Sequence, residues 1–441
     1  MNRLEMLDAL VAAARAAGAD AADALLVQGT SLSVSRRLGA VEHLERAEGF
    51  DLGLRVFVAK RQAIVSSTDP DRVGFATLAE RAVAMARAVP EDRFSGLPEA
   101  VPALARDLDL DDSAEPGAED LLARAAAAEE AALATPGVTN SNGAEAGFHR
   151  ARIAILASNG FAGEYARSSH SVSVSAVAGE GTAMERDYDH SVAVHLADLE
   201  DAASLGRSAG ERAVRRLNPT RPASRRLTVI YDPRVAGSLL GHLTAALNGA
   251  AVARGTSFLR DRMGERVLAA GMTVRDDPLR RRGLRSRPFD GEGTPGEGLA
   301  LVEDGVLRSW VLDWRSARQL GLRSTGHASR GVSSPPSPAT TNLWLEPGSV
   351  SPAALMSDIE EGFYVTEMMG SSVNAVTGDY SRGASGFMIR RGELAEAAAG
   401  VTIAGNLKDM FLHMAAADDL RFRRGVDAPT LRVDGMTLAG G

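Results

Sequence analysis

The stretch LTVIYDPRVAGSLLGHLTAALNG, residues 227–249, changes period partway through. Leu227 to Tyr231 reads as a short strand, and Asp232-Pro233 is a strong helix start, a capping carboxylate followed by proline at the first helical position. The helix is expected over 233–248, with Gly249 as its stop. Just before it, Asn218 to Arg226 holds Pro219, Pro222, Arg221, Arg225 and Arg226, a composition that marks a boundary. After it the chain is rich in glycine and valine with short strands and turns, so 226–441 is read as a β-rich C-terminal domain.

Toward the N-terminus the pattern differs. Met1 to Ala17 spaces Leu4, Leu7, Leu10 and Val11 as a helix. Leu25 to Val34 and Leu52 to Val65 read as strands, and Val73 to Ala88 as a second helix after Asp69-Pro70-Asp71, so 1–89 forms a small α/β unit. Residues 90–118, with Pro90, Pro98, Pro102 and Pro116, are read as a linker. A central α/β region spans 119–217: a helix from Glu119 to Ala134, strands at Arg152 to Ala157, His170 to Val177 and Ser191 to Leu196, and a helix near Asp201 to Leu217. The expected class is α+β, an N-terminal α/β region followed by the β-rich domain.

Composition narrows the chemistry. The chain has 441 residues and no cysteine. Disulfides, cysteine-held clusters and thiolate zinc sites are excluded, which fits a reducing cytoplasm. No stretch reaches the ~18–20 apolar residues of a membrane span, and Glu5 and Asp8 interrupt any signal-peptide core. A net charge of −8 argues against a general nucleic-acid binder.

Several passages resemble signatures of the TldD/PmbA metallopeptidase family: Ala157-Ser-Asn-Gly-Phe161, Arg254-Gly-Thr-Ser-Phe258 with Met263-Gly264, Asp290-Gly-Glu-Gly-Thr-Pro-Gly-Glu297, Glu361-Gly-Phe-Tyr364, Val376-Thr-Gly-Asp-Tyr380, Ser385-Gly-Phe387 and Asn406-Leu-Lys408. Their order and approximate spacing are similar to the family's across about residues 20 to 440. The resemblance implies a dimer enclosing a cavity in which peptides are cut. In the TldD-type subunit of that family, a helix bearing His-Glu-x-x-x-His, with a distant cysteine, holds zinc, and the glutamate serves as general base. Such a site needs three protein ligands and an open position for water.

Counted back from Arg254, the positions matching the first histidine, the glutamate and the second histidine are Leu240, Gly241 and Ala245. None can ligate zinc or act as a base. The resemblance is therefore to the metal-less TldE/PmbA-type subunit, with no cofactor in this chain and zinc in a TldD-type catalytic partner. A cytoplasmic heterodimer acting on peptide substrates, without membrane or nucleic acid, is the expectation. The chain alone is expected to be inactive. Two alternatives are an interaction protein modulating a partner such as DNA gyrase, and a stand-alone metallopeptidase with unusual ligands.

His242 is a single ligand out of register, His190 and His195 are read as lying on opposite faces of a strand, and His327 and His413 are isolated. Gly291, Gly293 and Gly296 form a G-x-G-x-x-G without the strand-to-helix setting of a nucleotide site, and read as a tight turn needing positive φ beside the cavity. Arg275, Arg280, Arg281, Arg282, Arg285 and Arg287 make a basic loop, solvated or partner-facing, without interleaved aromatics for base stacking. Asp358, Glu360 and Glu361 read as solvent-facing acids.

Overall fold

The computed structural model describes residues 2–99 and 106–440, and residues 100–105 of the expected linker lie outside the described residues. The N-terminal part is one antiparallel sheet built from β1 (Ala21–Arg37), β2 (Ala40–Val58), β3 (Arg61–Ser67), β4 (Val138–Ala157), β5 (Ala162–Ala178) and β6 (Glu185–Ala193), in the order β3-β2-β1-β4-β5-β6. Strand β1 pairs with β2 on one side and β4 on the other, Leu25 facing Gly53 and Ile155. The 1–89 and 119–217 units thus share a sheet, and segment 90–118 joins its halves. Part of that segment packs inward, with Leu108 and Leu110 buried.

Helices α1 (Arg3–Ala16), α2 (Phe75–Ala88), α3 (Ala118–Leu133) and α4 (Ala202–Arg215) cover one face of this sheet. Leu26, Leu54, Val56 and Ala154 meet the first two, and Val34, Ala146, Val172 and Val174 the second two. By strand alternation Ser171, Ser173 and Ser175 take the opposite face, which turns toward the C-terminal domain. There Leu25, Ile155, Phe161 and Phe289 form a small apolar cluster across the two parts.

The expected strands shift at their ends, and the one expected over Ser191–Leu196 starts earlier and stops at Ala193. The expected Leu52–Val65 strand is a hairpin, turned at Ala59 and Lys60, both with positive φ. The other expected strand extends from Val34 to Arg37 and turns back at Leu38 (φ 49°) and Gly39 (φ 82°), a two-residue turn of the kind that suits a twisted hairpin. Glu129 of α3, fully buried, holds that turn by accepting the N–H groups of Leu38 (2.8 Å) and Gly39 (3.2 Å) and the Nε–H of Arg36 (3.2 Å). Residues 40–49 of β2 are all exposed. With neither face buried they lack the alternation that reveals a strand.

The C-terminal domain opens with β7 (Arg225–Tyr231) and α5 (Pro233–Leu247). Asp232 accepts the Arg234 N–H at 2.8 Å, as the capping sequence predicts. The chain does not stop helically at Gly249. Asn248 breaks the ladder at ψ 117° and caps a second short helix, Gly249–Ala253, through the N–H groups of Ala250 and Ala251. Gly249 is needed there because a Cβ would meet Leu312 at 2.3 Å.

Strands Glu393–Asn406, Asp379–Arg390, Glu361–Val373, β7 and Leu431–Ala439 lie side by side, and the last also pairs with the first, Thr402 opposite Ala439. The sheet closes on itself, which removes most of its free edges. Leu239, Leu240, Leu243 and Leu247 of α5 pack into its core with Val229, Phe363, Val365 and Leu431. A five-stranded sheet that includes Val274–Asp277, Leu299–Glu303 and Asn342–Leu345 packs against the same core.

Candidate functional site

Helix α5 presents two different faces at the three positions of interest. Leu240 is 1% exposed and belongs to the core, whereas Gly241 and Ala245 are exposed, four residues apart on one side of the helix. A Cβ on Gly241 would meet no atom within 4 Å, and its φ is ordinary. Neither packing nor backbone geometry calls for glycine, which costs about 1 kcal/mol relative to alanine inside a helix. The result is a bare strip of helix open to whatever approaches it.

Beside the strip, His242 meets Tyr380 edge-on, with ring centroids 5.7 Å apart. Its Nε2 is buried without a hydrogen-bonding partner. Burial, and secondarily the charge of Arg382, hold the imidazole below its ordinary pKa, so it is neutral at pH 7. The Nε of Arg382 is also buried and unpaired. Tyr231 and Tyr380 bring their hydroxyls to 3.5 Å, and burial raises both phenols. This group can donate hydrogen bonds and offers one cation. It contains no carboxylate base at position 241.

Of the other histidines, His170 and His195 share one carboxylate, Asp112, at 3.2 and 3.6 Å. His190 lies in β6, but His195 has left the strand, so the expected opposite-face arrangement does not apply; its ring contacts Asp109 and Asp112 instead. His327 is fully buried, its Nε2 2.7 Å from Asp276 Oδ1 and its Nδ1 2.7 Å from the Thr325 carbonyl. His413 ends a short helix, with its Nδ1 2.8 Å from the Asp409 carbonyl. Among the described residues, no three His, Cys, Asp or Glu side chains cluster to hold a metal ion.

The glycine-rich loop is a structural weld. Only Gly293 has positive φ (80°); Gly291 and Gly296 are there for space, since a Cβ on the latter would lie 2.7 Å from Pro278. Asp290 organises the loop, accepting the N–H groups of Glu292 (2.8 Å), Thr294 (2.9 Å) and Ala328 (2.9 Å). Glu292 accepts from Trp314 N–H at 2.9 Å and from Arg55 at 3.3 Å. Arg55 is bound to Asp23, which also takes Arg330 at 2.6 Å. Asp23, Arg55, Glu292 and Arg330 therefore form a buried ionic chain joining β1 and β2 to the C-terminal domain. Glu292 lies in a family-like passage, but nothing local in the sequence marks Arg55 as its distant partner, or Arg330 as that of Asp23.

The basic loop is largely neutralised within the chain. Arg281 and Arg282 reach Asp109 at 2.9 and 2.6 Å, Arg282 also Asp198, and Arg275 reaches Glu346. Arg280 lies over the Phe422 ring, 3.4 Å from its centroid, an aromatic partner that the local sequence does not contain. The acids near 360 are likewise paired rather than simply solvated, Glu361 with Arg225 and Arg390, and Asp358 with Arg432.

Comparison with known proteins agrees with this architecture. The domains of the PmbA/TldA metallopeptidase family match in chain order: domain 1 at residues 22–86, the central domain at 111–217 and the C-terminal domain at 224–440. The Metalloprotease PmbA of Escherichia coli O157:H7 is 34% identical, over 96% of this chain and 92% of its own length. A Metalloprotease PmbA homolog from Haemophilus influenzae is 33% identical, over 96% and 93%. Among solved structures, a Bacteroides thetaiotaomicron protein described as a candidate modulator of DNA gyrase superposes with a TM-score of 0.91 at 26% identity, covering 99% of this chain and 98% of that one. TldE from Thermococcus kodakarensis shares the fold, with a TM-score of 0.87 at 20% identity over 99% and 100% of the two chains. Among the described residues no helix is long and apolar enough to cross a membrane.

Proposed function

The chain belongs to the PmbA/TldD metallopeptidase family, and from that premise we propose that it is the non-catalytic, TldE/PmbA-type member of a two-subunit cytoplasmic peptidase. Its partner is a TldD-type chain that supplies the zinc and the general base. The observation that carries this reading is α5, kept as a capped, core-packed helix while Leu240, Gly241 and Ala245 stand where ligands and base would be. Leu240 points its bulk into the core. Gly241 and Ala245 leave an open backbone strip beside His242.

In this reading the chain contributes walls rather than chemistry. The serine-bearing face of the N-terminal sheet and the exposed outer half of β2 offer polar side chains and strand-edge groups to an extended peptide or a partner, which main-chain hydrogen bonding can hold without demanding particular side chains. Peptide hydrolysis then occurs at the partner's zinc, where a bound water is activated.

The test is to purify this chain alone and together with a TldD-type subunit, and to measure metal content and hydrolysis of unfolded peptides in each. Zinc and activity are expected only in the mixture. Stoichiometric zinc with peptidase activity in the lone chain would show an independent enzyme. Capture of DNA gyrase without any TldD-type chain would instead favour a modulator role.

A further inference from the structure

A cavity of about 310 Å³ lies between the C-terminal domain and the face of the N-terminal sheet opposite its helices. Its floor is apolar, made by Leu25, Val27, Ile153, Ile155, Tyr165 and Phe289. Arginines 167, 285, 287 and 330 also line it, with Asp290 as the one carboxylate among the lining residues.

Two of these guanidinium groups are incompletely satisfied. Arg330 has a side chain 4% exposed; its Nη1 binds Asp23, but its Nε and Nη2 have no partner. The Nε and Nη2 of Arg287 are buried and unpaired as well. Leaving buried donors of a charged group empty is costly, so such atoms call for an acceptor. The nearby acids cannot serve. Asp23 is already bound by Arg55 and Arg330, and both oxygens of Asp290 accept backbone N–H groups. Burial also raises the Asp290 carboxyl, which weakens its capacity to balance the arginines.

We propose that this cavity binds a carboxylate attached to a small apolar side chain, as at the C-terminal end of a peptide finishing in an apolar residue. Planar guanidinium donors match a carboxylate's two oxygens. The apolar floor takes the side chain, and the volume, at the lower end of the ~300–1,000 Å³ range of small-molecule sites, suits one terminal residue. Assigning the ligand to a peptide end rests on the peptidase-subunit reading above. The affinity for an apolar carboxylate does not.

Binding to the lone chain is measured by calorimetry with N-acetyl-leucine, N-acetyl-leucinamide and inorganic phosphate. N-acetyl-leucine is expected to bind at least tenfold more tightly than either of the others. In Arg287→Leu, which removes a guanidinium whose Nε and Nη2 are unpaired, this affinity falls at least tenfold, and a retained cooperative thermal transition shows that the chain still folds. Val27→Phe, which fills the floor without changing charge, weakens binding in the same sense. Equal binding of the acid and its amide, tighter binding of phosphate, or unchanged affinity in a folded Arg287→Leu chain overturns the proposal. None of these results requires partner or hydrolysis, so the peptidase-subunit assignment is judged separately.

Discussion

His242 lies edge-on to Tyr380, the ring planes at 77°, with a buried Nε2 that no protein group meets. Burial first, and then the Arg382 charge, hold this imidazole below the ~6.5 of an unfolded chain. His170 and His190 are depressed by burial in the same direction. Below pH ~6.5 the unfolded chain takes up protons before the folded one, so the histidine contribution is complete above that pH and is lost as pH falls through the lower folded values. The melting temperature is therefore expected to drop between pH 7 and 5, less steeply in His242→Gln. An NMR titration of His242 with a midpoint above 6.5 would contradict this.

Helix α5 was legible because its signals are local: Asp232 and Pro233 adjoin, and the leucines repeat at helical spacing. Its neighbours were not. Tyr380 and Arg382 come from a strand far along the chain, and no short pattern announces that they flank His242. The shared N-terminal sheet was hidden for the same reason, since β1 finds β4 only after a long excursion. The outer half of β2 carries no such signal, because Glu42, His43, Glu45, Arg46 and Glu48 are all exposed and give no amphipathic signature. Counting from Arg254 located the altered positions, but their division into one buried and two exposed residues required the fold.

Gly241 offers a test that separates stability from use. Replacing it with alanine meets no obstruction and reduces the entropy of the unfolded chain, so Gly241→Ala should stabilise the protein by about 0.5–1 kcal/mol in chemical denaturation. Gly241→Leu should also fold, because the Cβ position is open. If the strip borders the working cavity, the leucine lowers peptidase activity of the two-subunit mixture while leaving this chain's melting temperature near that of the alanine variant. Full activity with the leucine variant would remove the strip from the site.

The buried ionic chain should respond unevenly to its two carboxylates. Asp23 is held below the ordinary carboxylate range: burial pushes its pKa upward, but Arg330 and Arg55 together outweigh that effect. Asp23→Asn leaves both cations short of charge and is expected to cost about 3–5 kcal/mol. Glu292 is pushed up to about 7 by burial, which its 3.3 Å contact with Arg55 only partly offsets. Near neutrality it is divided between its charged and neutral forms, so Glu292→Gln should cost less than Asp23→Asn. Denaturation midpoints at pH 7 check the order, and an equal loss for both variants would refute it.

The last prediction concerns the hairpin tip. Strand β3 pairs with β2 only from Leu52 to Val58, leaving residues 40–49 as an open edge that carries Val41 and Leu44 at 55% and 51% exposure, beside Leu38 at 57%. Open edges invite pairing with another chain, and the intervening charges limit which chain that can be. Glu129 keeps the tip in place from α3, so the edge is presented already shaped. The double substitution Val41→Asp and Leu44→Asp removes exposed apolar area without touching the core, and the lone chain should keep its stability within about 0.5 kcal/mol. Association with a TldD-type subunit, followed by sedimentation, should weaken at least about tenfold, equivalent to ~1.4 kcal/mol. Undiminished association would place the partner surface elsewhere on the chain.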